Sequence, residues 1–313
     1  MCVLPHRAGG RTCVQHLHTG GATVLKRKKL LIAWLLILPV LVIRLATTAY
    51  PTLSIFWYSL RDYSFLLRIN EFIGFRNIAY LVTDPKIGNA FSFTFVFTVV
   101  SIGLMLLGGI ALAHLLNVQY GGRRFLRTTA LIPWALPMIV AGIAARWAFN
   151  DVYGIVNDLV RRFATDFRYD WLVSPVGAQS AIIAVDFWKN VSFFAILTLA
   201  GLQNVPSELY ESAKIDGAGP TTLLVRITLP HIKRTLIIVS LFFIIWRLSS
   251  FDIVYAMTRG GPGSSTSLLA FRMYEEAFKN LSIGYASSIA VALFAIMAVA
   301  GVVGIVYYRR VDY

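Results

Sequence analysis

The sequence predicts an all-α membrane protein: six transmembrane helices, both termini on the inner side, and a loop of short helices on that same side. Three observations lead there. Of 313 residues, 57% are hydrophobic and 14% charged, with mean hydropathy +0.68, too little charge for the surface of a soluble domain this long. The apolar residues gather into six separate runs. The basic residues, which give a net charge of +14 and a pI near 10.0, fall mostly between those runs. A basic stripe on a soluble fold, the footprint of a nucleic-acid binder, is therefore excluded, and the chain's medium is the lipid bilayer.

A helix needs about 20 apolar residues to cross the hydrocarbon core. The runs that qualify lie at about 30–57, 89–115, 129–149, 178–200, 235–257 and 284–307, forming one domain over 30–307. The first contains Pro39 and Pro51, which a spanning helix tolerates where neighbours satisfy the freed carbonyls. The second and sixth are rich in small residues ("GLMLLGGIALA", "IAVALFAIMAVAGVVGIV"), which lets helices approach closely in lipid. Residues 1–29 read as a disordered basic tail and 308–313 as a short inner C-terminus. Cys2, Cys13, His16 and His18 lie in that tail without any zinc-binding spacing, and the first apolar run is too long for a signal peptide.

Orientation follows from lysine and arginine placement. One set of loops carries Lys26, Arg27, Lys28, Lys29, Arg123, Arg124, Arg127, Lys214, Arg226, Lys233, Arg234, Arg309 and Arg310. The alternate loops mix their basic residues with acids, among them Asp62, Glu71, Asp84, Asp151, Asp158, Asp166, Asp170, Glu275 and Glu276. The first set is expected to be cytoplasmic, although Arg161 and Arg162 fall on the other side. Residues 201–234 then form a cytoplasmic loop.

Within that loop, Ser207 is expected to cap a helix whose first turn holds Glu208 and Glu211, where the helix dipole favours acids. Gly217 suits the left-handed position that ends a helix. Pro220 can open a second short helix and Pro230 stop it. Such a segment could simply rest on lipid. Its low-relief face of Ser212, Ala213, Gly217, Ala218 and Gly219 instead fits a groove on a protein partner.

The spacing Glu211-Ser212-Ala213, three residues, Gly217, nine residues, then Ile227-Thr228-Leu229-Pro230 resembles the EAA loop (EAA-x3-G-x9-I-x-LP) of the membrane subunits of binding-protein-dependent ABC importers. Ser212 replaces the second alanine. "YPTLSIFWYSL", "FIGFRNIAYLVTDP", "GGRRFLRTTALIPWALP", "FDIVYAMTRGGP" and "GYASSIAVALF" resemble further segments of that family, and "TRGGP" resembles the first permease type of its maltose- and glycerol-3-phosphate-like sugar importers. The resemblance implies a bacterial inner-membrane permease that works with a second permease of the same family as a heterodimer, a dimer of ATP-binding subunits, an external solute-binding protein and a sugar-type solute. It assigns coupling to the ATPase to Glu208, Glu211, Ser212, Ala213, Asp216, Gly217, Ala218, Ile227, Leu229 and Pro230. The chain holds no G-x-x-x-x-G-K-[ST] segment to cradle phosphates, so no cofactor is expected on it, and ATP and magnesium belong to the partner ATPase.

Polar residues inside apolar spans are costly and mark function or structural pairing. On the fourth run Asp186 and Lys189 share a helical face, with Trp188 and Asn190 beside them. They read either as a self-neutralising pair or as part of a translocation path. Arg247, Ser250, Phe251, Asp252 and Tyr255 on the fifth run mix rings and hydrogen-bonding groups as a sugar path would, or pair structurally. Arg44 and Arg146 are weaker candidates, and His114 and His231 read as interfacial. A rival reading, a membrane-embedded enzyme using Asp186, Lys189 or Asp252 as acid–base groups, leaves the loop at 208–230 without a purpose. A polyol, glycerol-3-phosphate or another non-sugar solute is the nearer alternative.

Overall fold

A computed structural model describes residues 19–311, with side chains from residue 30 onward; Cys2, Cys13, His16 and His18 lie outside them. The chain divides into residues 1–54 and 55–313.

In the first part, α1 (Thr19–Arg44) runs through a π-helical turn at Leu45–Ala49 into α2 (Tyr50–Ser59). Helix thus begins eleven residues before the expected boundary at 30. The π turn ends two residues before Pro51, which has no N–H to donate. Hydroxyls of the same turns bond the nearby carbonyls: Thr47 donates to Ile43 O and Thr52 to Thr48 O, each at 2.7 Å. The proline is absorbed by widening the helix rather than by breaking it.

The second part takes in the end of α2 from residue 55, then a hairpin, β1 (Arg61–Ser64) against β2 (Ile69–Phe72), then α3 (Arg76–Thr83) and α4 (Pro85–Asn117). Asp84 caps α4 by accepting from Lys86 N at 2.9 Å. α4 packs along α9 (Pro175–Leu202), and the glycine pair of the second run explains how. A Cβ on Gly108 would sit 2.6 Å from the Phe187 ring, and one on Gly109 would overlap Phe194. Phe97, Ile182, Phe194 and Phe243 are buried in this core.

The third run is not one straight span. α5 (Arg123–Ala130) and α6 (Ile132–Ala135) form an arm bent by 83° from α7 (Met138–Ala148). Pro137 disfavours helical backbone at the residue before it, and Leu136 is extended, with ψ 139°. The 11 residues of α7 rise about 16 Å, roughly half of the ~30 Å hydrocarbon core. The expected single straight span at 129–149 is therefore two helices bent at Leu136–Pro137.

After α8 (Ile155–Arg161) and α9 comes the short helix α10 (Ser207–Ile215), and α11 (Pro220–Thr222) continues through a π turn at Leu223–Thr228 into α12 (Leu229–Leu248). Contrary to the expectation that Pro230 stops a second short helix, it sits in the first turn of α12, where its missing N–H costs little. Thr228 Oγ1 bonds Leu223 O at 3.1 Å, and His231 Nδ1 lies 2.7 Å from Ile227 O. The fifth span thus covers Pro220–Leu248 and not 235–257. Beyond it lie α13 (Asp252–Met257), an irregular turn, α14 (Leu269–Tyr274), a π turn at Glu275–Lys279 and α15 (Ile283–Arg310), which carries helix past 307. Among the described residues, five helices are long and apolar enough to cross a membrane, or six with the bent pair counted as one.

Alternate connections of residues 55–311 meet at opposite ends. At one end Ser64 bridges Ser282, Tyr285 donates to Asp84 Oδ2 at 2.7 Å and Gln179 to Ser265 O at 2.7 Å. At the other, Leu116, Leu199, Leu202 and Ile232 cluster, Arg127 donates to Leu116 O at 2.8 Å and Arg234 to Val311 O at 2.8 Å. The basic-rich loops lie at this second end.

Candidate functional site: a mid-span charge cluster and a detached helix

Asp186 is three residues from Lys189, yet the two do not pair. Asp186 Oδ2 accepts from Arg247 Nη2 at 2.9 Å and from its Nε at 3.0 Å, joining the fourth span to the fifth. Asn190, one turn on, donates to both Asp186 O and Oδ1 at 3.0 Å. The guanidinium also meets Met105 Sδ at 3.4 Å and stands 4.9 Å over the Phe243 ring. Asp186 and Arg247 are both 2% exposed, so each charge relies on the other in place of water.

Lys189 turns the other way and donates to the Trp134 carbonyl at 2.9 Å. That carbonyl belongs to the last turn before the break in the third span, where helical acceptors have lost their donors; a cation also suits the negative end of the helix dipole. The Trp134 ring stacks on Phe193 with centroids 4.3 Å apart. One membrane segment is therefore bent beside this cluster, the third at Leu136–Pro137, and the fifth span ends just after Arg247, at Leu248. Broken helices with charged side chains at one depth are a recurrent way to build a translocation site.

The nine path residues named from sequence fall into three groups. Asp186, Lys189, Asn190 and Arg247 form the cluster. Trp188, on the far face of α9, lines a cavity of about 420 Å³ with Leu136, Ala144 and Ala148. Ser250, Phe251, Asp252 and Tyr255 lie beyond the end of α12: Ser250 N donates to Arg247 O at 3.0 Å, and Phe251 packs on Tyr255 and Tyr274, centroids 5.2 and 4.8 Å away. Asp252 is exposed at the start of α13, with no ion pair among the described residues. Sequence reasoning missed Met105 and Trp134; the latter contributes a backbone oxygen, which no side-chain pattern announces.

At the basic end, α10 is tied to the rest of the chain through Tyr210, closed by its own C-terminal turn, and bare along its outer face. Pro206, not Ser207, occupies the capping position, and no side chain caps it. Tyr210 OH meets Thr228 Oγ1 at 3.0 Å, tying α10 to the root of the fifth span. At the other terminus Gly217 N donates to Lys214 O at 3.1 Å and Ala218 N to Ala213 O at 2.9 Å, with Gly217 at φ +80° and Asp216 as C-cap. This Schellman ending needs a left-handed residue, which glycine supplies without strain. Ser212 is occupied locally, donating to Glu208 O at 2.8 Å. Glu208 and Glu211 are exposed, and their carboxylates have no hydrogen bond or ion pair among the described residues. Ile227 lies in the π turn, while Leu229 and Pro230 open α12, so these three form the root of the loop and not a second surface helix.

Comparison with known proteins identifies this arrangement. The family described as the inner membrane component of binding-protein-dependent transport systems matches residues 105–313. The chain belongs to that family. It is a multi-pass inner-membrane transport component. A sulfoquinovosyl glycerol transport system permease of Agrobacterium fabrum is 37% identical over 267 residues, 85% of this chain and 86% of that protein. A trehalose/maltose transport system permease of Thermococcus litoralis is 37% identical over 254 residues, 80% of this chain and 85% of that one. Among solved structures, a bacterial ABC transporter involved in import of the acidic polysaccharide alginate superposes with a TM-score of 0.78 at 21% identity, covering 93% of this permease and 99% of that chain. Its fold is therefore that of ABC importer membrane subunits.

Proposed function

We propose that this permease is one of two related membrane subunits of an ATP-driven importer for a sugar or sugar derivative. It lies with its basic end in the cytoplasm and receives solute from an external binding protein. The observation that carries the reading is α10: a short exposed helix tied to the root of the fifth span through Tyr210 and closed by its own Schellman turn, with the Glu208 and Glu211 carboxylates unengaged. Such a helix is shaped to seat in a cleft of an ATP-binding subunit. Its tie to the π turn through Tyr210 and Thr228 gives a direct line into α12 and so to Arg247. Closure of an ATP-bound partner dimer would push α10 as a rigid body and tilt the fifth span. Solute would pass beside the interrupted third span and the Asp186–Arg247 pair. The names of the two relatives, one for sulfoquinovosyl glycerol and one for trehalose/maltose, support a sugar-type solute. ATP and magnesium would be held by the partner.

The test is co-expression with neighbouring transport genes, purification through a tag on this chain, and reconstitution into liposomes with the binding protein. An ATPase and a second permease are expected to co-purify, and trehalose or maltose to accumulate with ATP. A chain that purifies alone and takes up neither sugar refutes the proposal.

A further inference from the structure

Outside the mid-span cluster, a cavity of about 500 Å³ lies at the hairpin end, between the last turn of α7, the loop at 149–173 and the end of α13 at Met257–Thr258. Its walls include the Trp147 and Tyr153 rings, with centroids 6.3 Å apart, and the polar groups of Arg146, Asn150, Asp151 and Asp170. The carboxylates are held in place. Asn157, 1% exposed, donates to Asp151 O at 3.1 Å and to Tyr169 O at 3.0 Å, and accepts from Trp171 Nε1 at 2.9 Å. One buried amide thereby clamps together the two stretches that carry Asp151 and Asp170.

Arg168 reaches both carboxylates, at 3.3 Å from Asp151 and 3.9 Å from Asp170. With Arg146 counted, two cations face two anions and the pocket has no net charge. The hydrogen-bonding capacity is not exhausted. Asn150 Oδ1 accepts from Val152 N at 2.9 Å and Tyr153 N at 3.2 Å, which leaves its NH2 free among the described residues. Arg146 has no ion pair or hydrogen bond among them. Aromatic walls for apolar ring faces, with donors and acceptors at the rim for hydroxyls, suit an uncharged pyranose.

We propose that this pocket is an outer station of the transport path, binding a neutral pyranose-containing solute between Trp147 and the Asn150–Asp170 rim before it reaches the mid-span cluster. The proposal rests on the reading of the chain as a sugar importer subunit with its hairpin end outside.

The test uses the complete transporter in proteoliposomes, with Cys2→Ser and Cys13→Ser removing the native thiols and Val173→Cys placing one on the pocket rim. Its labelling by a membrane-impermeant maleimide is followed with trehalose, maltose or, as a control without a ring, glycerol. Either sugar is expected to slow labelling by at least about threefold and glycerol not to. Trp147→Ala should raise the half-protecting concentration by about tenfold, which corresponds to ~1.4 kcal/mol of stacking, and Trp147→Phe should keep protection. Labelling unaffected by both sugars, in a transporter that still takes up either one, overturns the pocket and leaves the importer reading standing. No uptake and no protection overturns both. A thiol shielded by the binding protein or the second permease, and indifferent to sugar, makes this face a protein contact and also overturns the proposal.

Discussion

Arg247 Nη2 lies 2.9 Å from Asp186 Oδ2 with the two side chains 2% and 3% exposed, so the fourth and fifth spans are joined by an ion pair sealed from water. Removing one partner strands the other charge in the interior. Asp186→Leu or Arg247→Leu alone should destabilise the purified transporter by about 3–5 kcal/mol. The double replacement should cost less than the sum of the singles by about 1–3 kcal/mol. Thermal unfolding of the four species checks this, and additive losses would show that the pair does not act as a unit.

Lys189 bridges a different gap. Its bond to Trp134 O occupies an acceptor exposed by the break at Leu136–Pro137. Lys189→Met should cost about 1.5–3 kcal/mol and speed amide exchange over residues 131–141, with Lys189→Arg intermediate. Unchanged exchange there would mean that the break is held by packing alone.

The close fit of α4 on α9 gives a purely steric prediction. Gly109→Val places side-chain atoms where the Phe194 ring lies and should destabilise by about 1–3 kcal/mol. The same replacement at Gly103, where an added Cβ meets nothing within 4 Å, should be far milder. Comparing expression and melting temperature of the two variants separates fit from helix propensity.

These sites differ in how visible they were in the sequence. Long apolar runs announce their own helices, so the second, fourth and sixth spans were legible to within a few residues. Hydropathy does not register geometry, and a proline in an apolar stretch can be absorbed or can break the helix. Pro51 and Pro230 sit just past π turns and are absorbed, whereas Pro137 leaves Leu136 extended and breaks its span. The loop at 207–217 was legible because an acidic first turn and a terminal glycine are local signals. The partner of Asp186 was not: Lys189 stood three residues away, and Arg247, 61 residues on, is brought near only by packing.

Tyr210 ties the exposed helix to the fifth span through one hydroxyl pair. Tyr210→Phe should leave insertion intact, cost about 1 kcal/mol locally, and speed amide exchange across Ser207–Ile215. On the proposed mechanism it should also lower the solute moved per ATP hydrolysed. A normal ratio in the variant would place the mechanical connection elsewhere.

The central claim is that α10 transmits the work of a partner ATPase, through a carboxylate at Glu211 and the turn at Gly217. Uptake and solute-stimulated ATP hydrolysis should be measured together in proteoliposomes for Glu211→Lys and Gly217→Pro, with membrane insertion confirmed for each. The account predicts that both variants insert but lose uptake and stimulated hydrolysis. Survival of both activities in both variants would contradict it.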